Sequence, residues 1–490
     1  MRLPLFLCAS ILFGATSCQG LLPQSSERVF RNVAESVFVV KVLGCEGVLR
    51  FGSAVAVLPD LVVTNKHVAG INIGQLLVVS HGSRTWIGYL AYVSSVTDLC
   101  AIRVPGLEAR PIQLRDSGSV KVGEHVFAVG SPKGLELSLS EGLISGVRQL
   151  GGGAASLIQT TAAISPGSSG GGLFDSRSRL VGITTSAMRD AENLGFALAA
   201  SEVKRVIGAL GLEPVQEFER ASILLGLGQY DESRRALEKA LAMDQTLEGA
   251  AFALGEASIM APEKEVEYYR TVVRVDPSQA EAWAALASTY SRLHAEVKDR
   301  DQRQLINRYL AGEEVDGSSL DKESTQSLLY LSEELEARRT ACRLNPDDTH
   351  LTINLASTYC ELGSLEEAGS LSRGVLAADP SNPLALVVLA QVYTKQGRRD
   401  LADVVYRKLT DGAASTLDEL DAQQSAWLAL GSSAALRRDS AASAACRERF
   451  KQLSSEQSAR YRKCRELFAA RREAQADAAR PYLLKRQAGR

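Results

Sequence analysis

Beyond its N-terminal segment the chain has no apolar run long enough to span a bilayer, which excludes membrane-spanning helices there. Charge of either sign is not in excess: the formal net charge is −2, so there is no global basic field for nucleic acid and no strongly acidic character. The eight cysteines, Cys8, Cys18, Cys45, Cys100, Cys342, Cys360, Cys446 and Cys464, are scattered. None forms a CxxC pair or a His/Cys ligand spacing, so no metal site is expected, and buried free thiols are the plain reading. Histidine is scarce at five residues. What is present, 45% hydrophobic and 23% charged residues, is ordinary globular usage, and 490 residues call for more than one compact domain.

The N-terminus reads MRLPLFLCASILFGATSC: Arg2, an apolar run from Leu3 to Phe13, then small residues. That is the outline of a secretory signal, too short for a membrane helix. Ala15-Thr16-Ser17-Cys18 resembles the lipobox of bacterial lipoproteins, in which the cysteine becomes the lipid-bearing first residue. Leu is usual at the Ala15 position, and a plain cleaved signal is the competing reading. The resemblance implies an exported, periplasmic protein held to a membrane by its acylated Cys18. Gln19, where inner-membrane retention favours Asp, points to the outer membrane.

From Val33 to about Ile207 short β-branched runs such as SVFVVKVLG, LVVTN and HVFAVGS are punctuated by Gly, Pro, Asn, Asp or Ser. Many short strands without helical patterns between them predict a sandwich or barrel. After Gly211 the texture becomes helical. LASTY occurs at Leu286–Tyr290 and at Leu355–Tyr359, and the pairs Pro346/Pro380, Tyr359/Tyr393, Gly363/Gly397 and Ala368/Ala402 are each 34 residues apart. This period, with WAALASTY from Trp283 and WLALG from Trp427, resembles the tetratricopeptide repeat, whose stacked helix pairs offer a concave surface to protein partners. After Tyr290 the segment to about Lys322 is charged and out of phase, so one unit there is interrupted. From Glu456 to the end ten Lys/Arg stand against four Asp/Glu, the composition of a capping helix with a solvated basic face.

The stretch ISPGSSGGGLF (Ile164–Phe174) carries the chemistry of the first half. Acyl transfer by a serine needs a nucleophile, a base within reach, and donors aimed at the developing oxyanion. In PGSSGG the backbone N–H groups of Gly167 and Ser169 can converge on one point beside the Ser169 hydroxyl. VVTNKHVA puts His67 after an apolar strand, and VTDLCAIRV puts Asp98 at the start of another. His67 is thus the candidate base, Asp98 its orienting carboxylate and Ser169 the nucleophile, in that chain order. The other histidines, His81, His125, His294 and His350, have no partner pattern.

With these residues the first half resembles the trypsin-like serine proteases of the HtrA/Deg family. That family carries Thr-Asn-x-His-Val, Asp-Leu-Ala and Asn-Pro-Gly-Asn-Ser-Gly-Gly in order. Here they stand as Thr64–Val68, Asp98–Cys100 and Ser165–Gly171, with Cys100 for Ala and with Ser165 and Ser168 for Asn. The resemblance implies a multidomain chain, an all-β chymotrypsin-like double β-barrel followed by an all-α tetratricopeptide solenoid. The expected partition is a signal over 1–17, a linker over 18–32, a protease domain over 33–208, repeats over 214–452 and a basic helical segment over 453–490. Helical repeats stand where the family usually has a PDZ domain. In this fold the residue six before the nucleophile, Ala163, lies at the base of the primary pocket, with Thr184, Thr185 and Ser186 along the opposite wall. Nothing charged is among them, so small or medium apolar side chains are expected before the scissile bond. The function expected is a cofactor-free serine endopeptidase, with protein substrates, a protein partner on the repeats and no nucleic acid. The alternative is an interaction scaffold whose protease-like domain is catalytically silent.

Overall fold

The computed structural model describes residues 25–44, 47–73, 75–132, 137–150, 155–185, 195–258, 261–310, 325–410 and 414–488. The leader, Cys18 and Ser186 therefore lie outside the described residues.

Among the described residues the short β-branched runs become twelve antiparallel strands in two closed barrels, as the sequence predicts. Helix α1 (Ser26–Val33) leads into the first barrel, made of β1 (Val37–Gly44), β2 (Gly47–Leu58), β3 (Leu61–Thr64), β4 (Leu76–His81), β5 (Arg84–Val93) and β6 (Cys100–Arg103). The single helical turn α2 (Lys66–Ala69) lies between β3 and β4. The second barrel has β7 (His125–Gly130), β8 (Ser138–Leu150), β9 (Ala155–Thr160), β10 (Gly172–Asp175), β11 (Leu180–Thr185) and β12 (Gly195–Ala199). Around each barrel the order is the same, β1-β2-β3-β6-β5-β4 and β7-β8-β9-β12-β11-β10, so the two are topological copies.

Helix α3 (Ala200–Ala209) packs back on the second barrel, and the helical half follows. It comprises α4 (Glu213–Gly226), α5 (Tyr230–Met243), α6 (Glu248–Ala257), α7 (Pro262–Val275), α8 (Ala280–Leu310), α9 (Thr325–Leu344), α10 (Thr349–Glu361) and α11 (Leu365–Ala378). Helices α12 (Pro383–Lys395), α13 (Arg399–Thr410), α14 (Leu417–Leu436) and α15 (Ser440–Ala488) complete it. The 34-residue period has a local cause. Gly363 and Gly397 take left-handed φ of 80° and 79°, and Ser364 and Arg398 donate back to the carbonyls of Tyr359 and Tyr393 at 2.9 Å, closing the same helix stop twice. Phase is lost after Tyr290 because Ser291–Leu310 has no glycine or proline, and α8 continues to Leu310 instead of turning. The other connection recurs as well. Asp244, Asp276 and Asp379 each accept, through Oδ1, the backbone N–H two residues on, at 2.9, 3.0 and 3.1 Å.

The first barrel and the early repeats share one apolar core. Buried Val63, Val68, Ala69, Leu90 and Val93 are continuous with Val215, Phe218, Ala250, Phe252, Tyr269 and Leu286. α4 lies so close to the barrel that a Cβ on Gly226 would stand 2.3 Å from the Tyr89 ring. α15 runs unbroken through residue 453, and its far end returns Ala479 and Leu483 to Tyr89 and Ile223.

Buried charge also crosses this boundary. Arg103 of β6 donates from Nε to Glu219 of α4 at 2.6 Å and from Nη1 to Asp60 at 2.7 Å, with the Glu219 side chain fully buried. Removing one partner of such a pair costs about 3–5 kcal/mol, because the other is left as an uncompensated buried charge. Arg103→Met is therefore expected to lower the thermal midpoint sharply, and Arg103→Met/Glu219→Gln to recover much of the loss. A double variant no more stable than the single one would contradict this.

Candidate active site

Strand register brings the first two site residues together. β3 pairs with β6 so that Thr64 stands opposite Cys100, which sends the chain after β3 and the chain before β6 out of the same barrel end. There Asp98 holds the α2 turn at several points. Its Oδ1 accepts the His67 backbone N–H at 3.0 Å, and its Oδ2 lies 2.7 Å from His67 Nδ1. Its carbonyl accepts from Asn65 Nδ2 at 2.9 Å and from Lys66 N at 3.3 Å. A carboxylate on Nδ1 fixes the tautomer, leaving the lone pair on Nε2. The Cys100 Sγ–H donates to the Asn65 carbonyl at 3.6 Å, and burial pushes that thiol up, so it stays protonated.

The second barrel reaches the same place. Thr185, at the end of β11, donates to Asp98 Oδ2 at 3.2 Å. The serine loop precedes β10 and is bolted to the first barrel by Ser53, which is fully buried on β2. Ser53 N donates to the Ser169 carbonyl at 2.8 Å, its Oγ donates to the Gly167 carbonyl at 2.9 Å, and the same Oγ accepts from Ser131 N at 2.8 Å. Gly52, next to it, packs where an added Cβ would meet both Val68 of α2 and the Ser169 carbonyl within 3 Å. The Ser169 carbonyl and Val68 of the His67 turn thus both pack against Gly52 of β2.

The glycines of the loop have definite tasks. Ser165 to Ser168 form a turn closed by Ser168 N to the Ser165 carbonyl at 2.9 Å, with Pro166 and Gly167 in its middle and Gly167 at φ 96°. That is the type II arrangement, in which positive φ favours glycine at the third position. Gly170 has φ 84°, and a Cβ there would lie 2.0 Å from the Ser53 carbonyl oxygen and 2.2 Å from Thr64 Oγ1. Only a residue without a side chain lets the loop lie this close to β2 and β3.

His67 keeps 46% of its side-chain surface exposed, enough to meet a substrate. Burial of the rest disfavours its cation. The hydrogen bond and charge of Asp98, with a smaller contribution from Glu281, outweigh that burial and the opposing charge of Arg50. The imidazole is held above its ordinary value of about 6.5.

Among the predicted pocket residues, Ala163 is exposed and its carbonyl accepts from Ser140 Oγ at 2.7 Å. Thr184 and Thr185 are buried, with hydroxyls directed to the Ser168 carbonyl at 2.6 Å and to Asp98. Sequence reasoning missed Ser53 and Lys66. Ser53 had one faint signal, a hydroxyl inside the apolar run GSAVAVL. Lys66 had none, since its acidic partners Glu248 and Asp276 are 182 and 210 residues further along. Among the described residues no group of three His, Cys, Asp or Glu side chains could hold a metal ion.

NMR titration of the His67 imidazole tests this electrostatic arrangement. The midpoint is expected above 6.5; Asp98→Asn should lower it most, Glu281→Gln less, and Arg50→Gln should raise it. A midpoint unmoved by Asp98→Asn would contradict the pairing.

Residues 52–183 match the trypsin-like peptidase domain family, and residues 218–247 match the tetratricopeptide repeat. The chain is similar to Protease Do-like 1, chloroplastic, of Arabidopsis thaliana, 34% identical over 160 residues, which are 30% of this chain and 36% of that one. It is also similar to Serine protease Do-like HtrB of Bacillus subtilis, 30% identical over 162 residues, 30% of this chain and 35% of that one. The chain therefore spans only about a third of the length of these relatives. A solved serine endoprotease from Yersinia pestis is 26% identical, with a TM-score of 0.34, over 39% of this chain and 67% of that one. The chain carries a trypsin-like peptidase domain with homologues among the HtrA- and Do-type serine proteases, and a tetratricopeptide repeat follows that domain.

Proposed function

We propose that the chain is an exported serine endopeptidase that cleaves peptide bonds of protein substrates, with its repeats binding protein partners. The observation that carries this reading is His67 Nδ1 lying 2.7 Å from Asp98 Oδ2, on the same barrel to which Ser53 ties the glycine-turned Ser169 loop. In the reaction His67 Nε2 takes the Ser169 proton as Oγ attacks the carbonyl carbon, and then delivers that proton to the leaving amine. Asp98 keeps the imidazole in the right tautomer and stabilises its cation. The N–H groups of Gly167 and Ser169 are the proposed oxyanion donors, each worth on the order of 10²–10³ in turnover. Water then releases the acyl group with His67 as base. Ala163 at the base of the primary pocket, with no charged residue among the proposed lining, favours small or medium apolar side chains before the scissile bond.

Export rests on the sequence of Met1–Ser17, and anchoring on Cys18 as a lipid-bearing residue at the outer membrane. Among the described residues no helix is long and apolar enough to cross a membrane.

A fluorophosphonate tests the reading directly. The Ser169 Oγ–P bond forms, the P–F bond breaks, fluoride leaves and His67 takes the proton. Labelling is expected for the wild type, to be absent in Ser169→Ala, and to fall by at least ~10³ in His67→Ala. Because the base must be neutral, the labelling rate should rise with pH through an inflection above 6.5. An unlabelled wild type, or Ser169→Ala labelled like the wild type, would sink the proposal.

A further inference from the structure

Lys66, the residue before the proposed His67 base, is buried. Its Nζ donates to the Ser94 carbonyl at 3.1 Å, to Glu248 Oε1 at 3.1 Å and to Asp276 Oδ2 at 2.6 Å. The last two belong to the repeats: Glu248 opens α6, and Asp276 caps the end of α7. Gln279, just before α8, ties the acids together, donating to Glu248 Oε1 at 3.0 Å and to Asp276 Oδ2 at 3.2 Å.

Asp276 is doubly used. Its Oδ1 closes the inter-helix turn through Ser278, as Asp379 does through Ser381, but only Asp276 of these two turns its other oxygen onto the barrel. Two further contacts flank this clasp. Arg50 bridges Gln75 and Glu281 of α8, and Asn72 donates to Glu256 of α6. Beneath them Val68, Ala69 and Ile71 share a core with Phe252, Ala253 and Tyr269. The turn bearing the base is therefore seated between barrel and repeats.

We propose that Lys66 is a positioning residue for the His67 base, held by Glu248 and Asp276, so that the repeats form part of the peptidase site's scaffold. This rests on the peptidase reading above. The physical reason is economy of backbone: α2 has a single turn, and its internal bonds, such as Gly70 N to the Lys66 carbonyl at 2.7 Å, cannot fix its orientation alone. An ammonium in a buried site must keep its carboxylates, so the lysine side chain follows any displacement of α6 or of the α7–α8 turn. His67 is one bond further along the same backbone, and a shift of about 1 Å in a catalytic group costs on the order of 10² in rate. A protein bound to the repeats that moves these helices would act on turnover through this contact.

The test uses the full chain and a fluorophosphonate probe, separating the saturation constant from the maximal labelling rate of Ser169. Lys66→Met is expected to lower the maximal rate about 10–100-fold with little change in the saturation constant. Lys66→Arg should restore most of the rate, since it keeps the charge and the reach. Asp276→Asn should reproduce the loss in part, and Asp379→Asn, which makes the same change at the equivalent turn elsewhere, should label as the wild type does. Circular dichroism and the thermal midpoint report folding, and Asp276→Asn carries the test if Lys66→Met does not fold. Overturning results are wild-type maximal rates in a folded Lys66→Met or in Asp276→Asn, or equal losses in Asp276→Asn and Asp379→Asn. A wild type that does not label removes the peptidase reading itself, which is a separate outcome.

Discussion

Between β3 and β4 the chain makes one helical turn, and side chains from three parts of the protein hold it. Asp98 holds it from the entrance of β6, through the His67 N–H and the imidazole. Glu248 and Asp276 hold it from the repeats, through Lys66. The second barrel adds Thr185, which donates to the Asp98 oxygen that also faces the imidazole. A single turn has little stability of its own, so its precision is borrowed from these neighbours. The placement of the imidazole depends on all of them together.

The serine side follows the same logic with neutral groups. Two of the hydrogen bonds of Ser53 go to the 167–169 loop, and Gly170 sits where any side chain would collide with β2 and β3. Both barrels therefore contribute to the proposed site, the first the proposed base and carboxylate and the second the serine loop.

Much of this was legible from sequence because the relevant signals are local. Short β-branched runs marked the strands, the spacing of Gly363 and Gly397 reflected a recurring helix stop, and Ser165-Pro166-Gly167 has the composition of a turn. His67 and Asp98 stood out because each ends or opens an apolar strand, and the β3–β6 register then joins them. Long-range pairings were not legible. Nothing near Lys66 announces Glu248 or Asp276, and nothing near Arg103 announces Glu219. The docking of the repeats on the first barrel was invisible for the same reason. Each apolar face of α4 or α6 looks like any other repeat face, yet these are continuous with the barrel core. The extra length of α8 was readable only as a lost phase, although the missing glycine was in plain view.

If the turn and the repeats form one mechanical unit, they must open together. Native-state hydrogen exchange measures this at the amides of Val68, Ala69 and Gly70, which donate to the Asn65 and Lys66 carbonyls, and at those of α6 and α7. The account predicts a common opening free energy for both groups, with the turn as slow to exchange as the helices. Fast, independent exchange across the turn while α6 and α7 stay protected would contradict it.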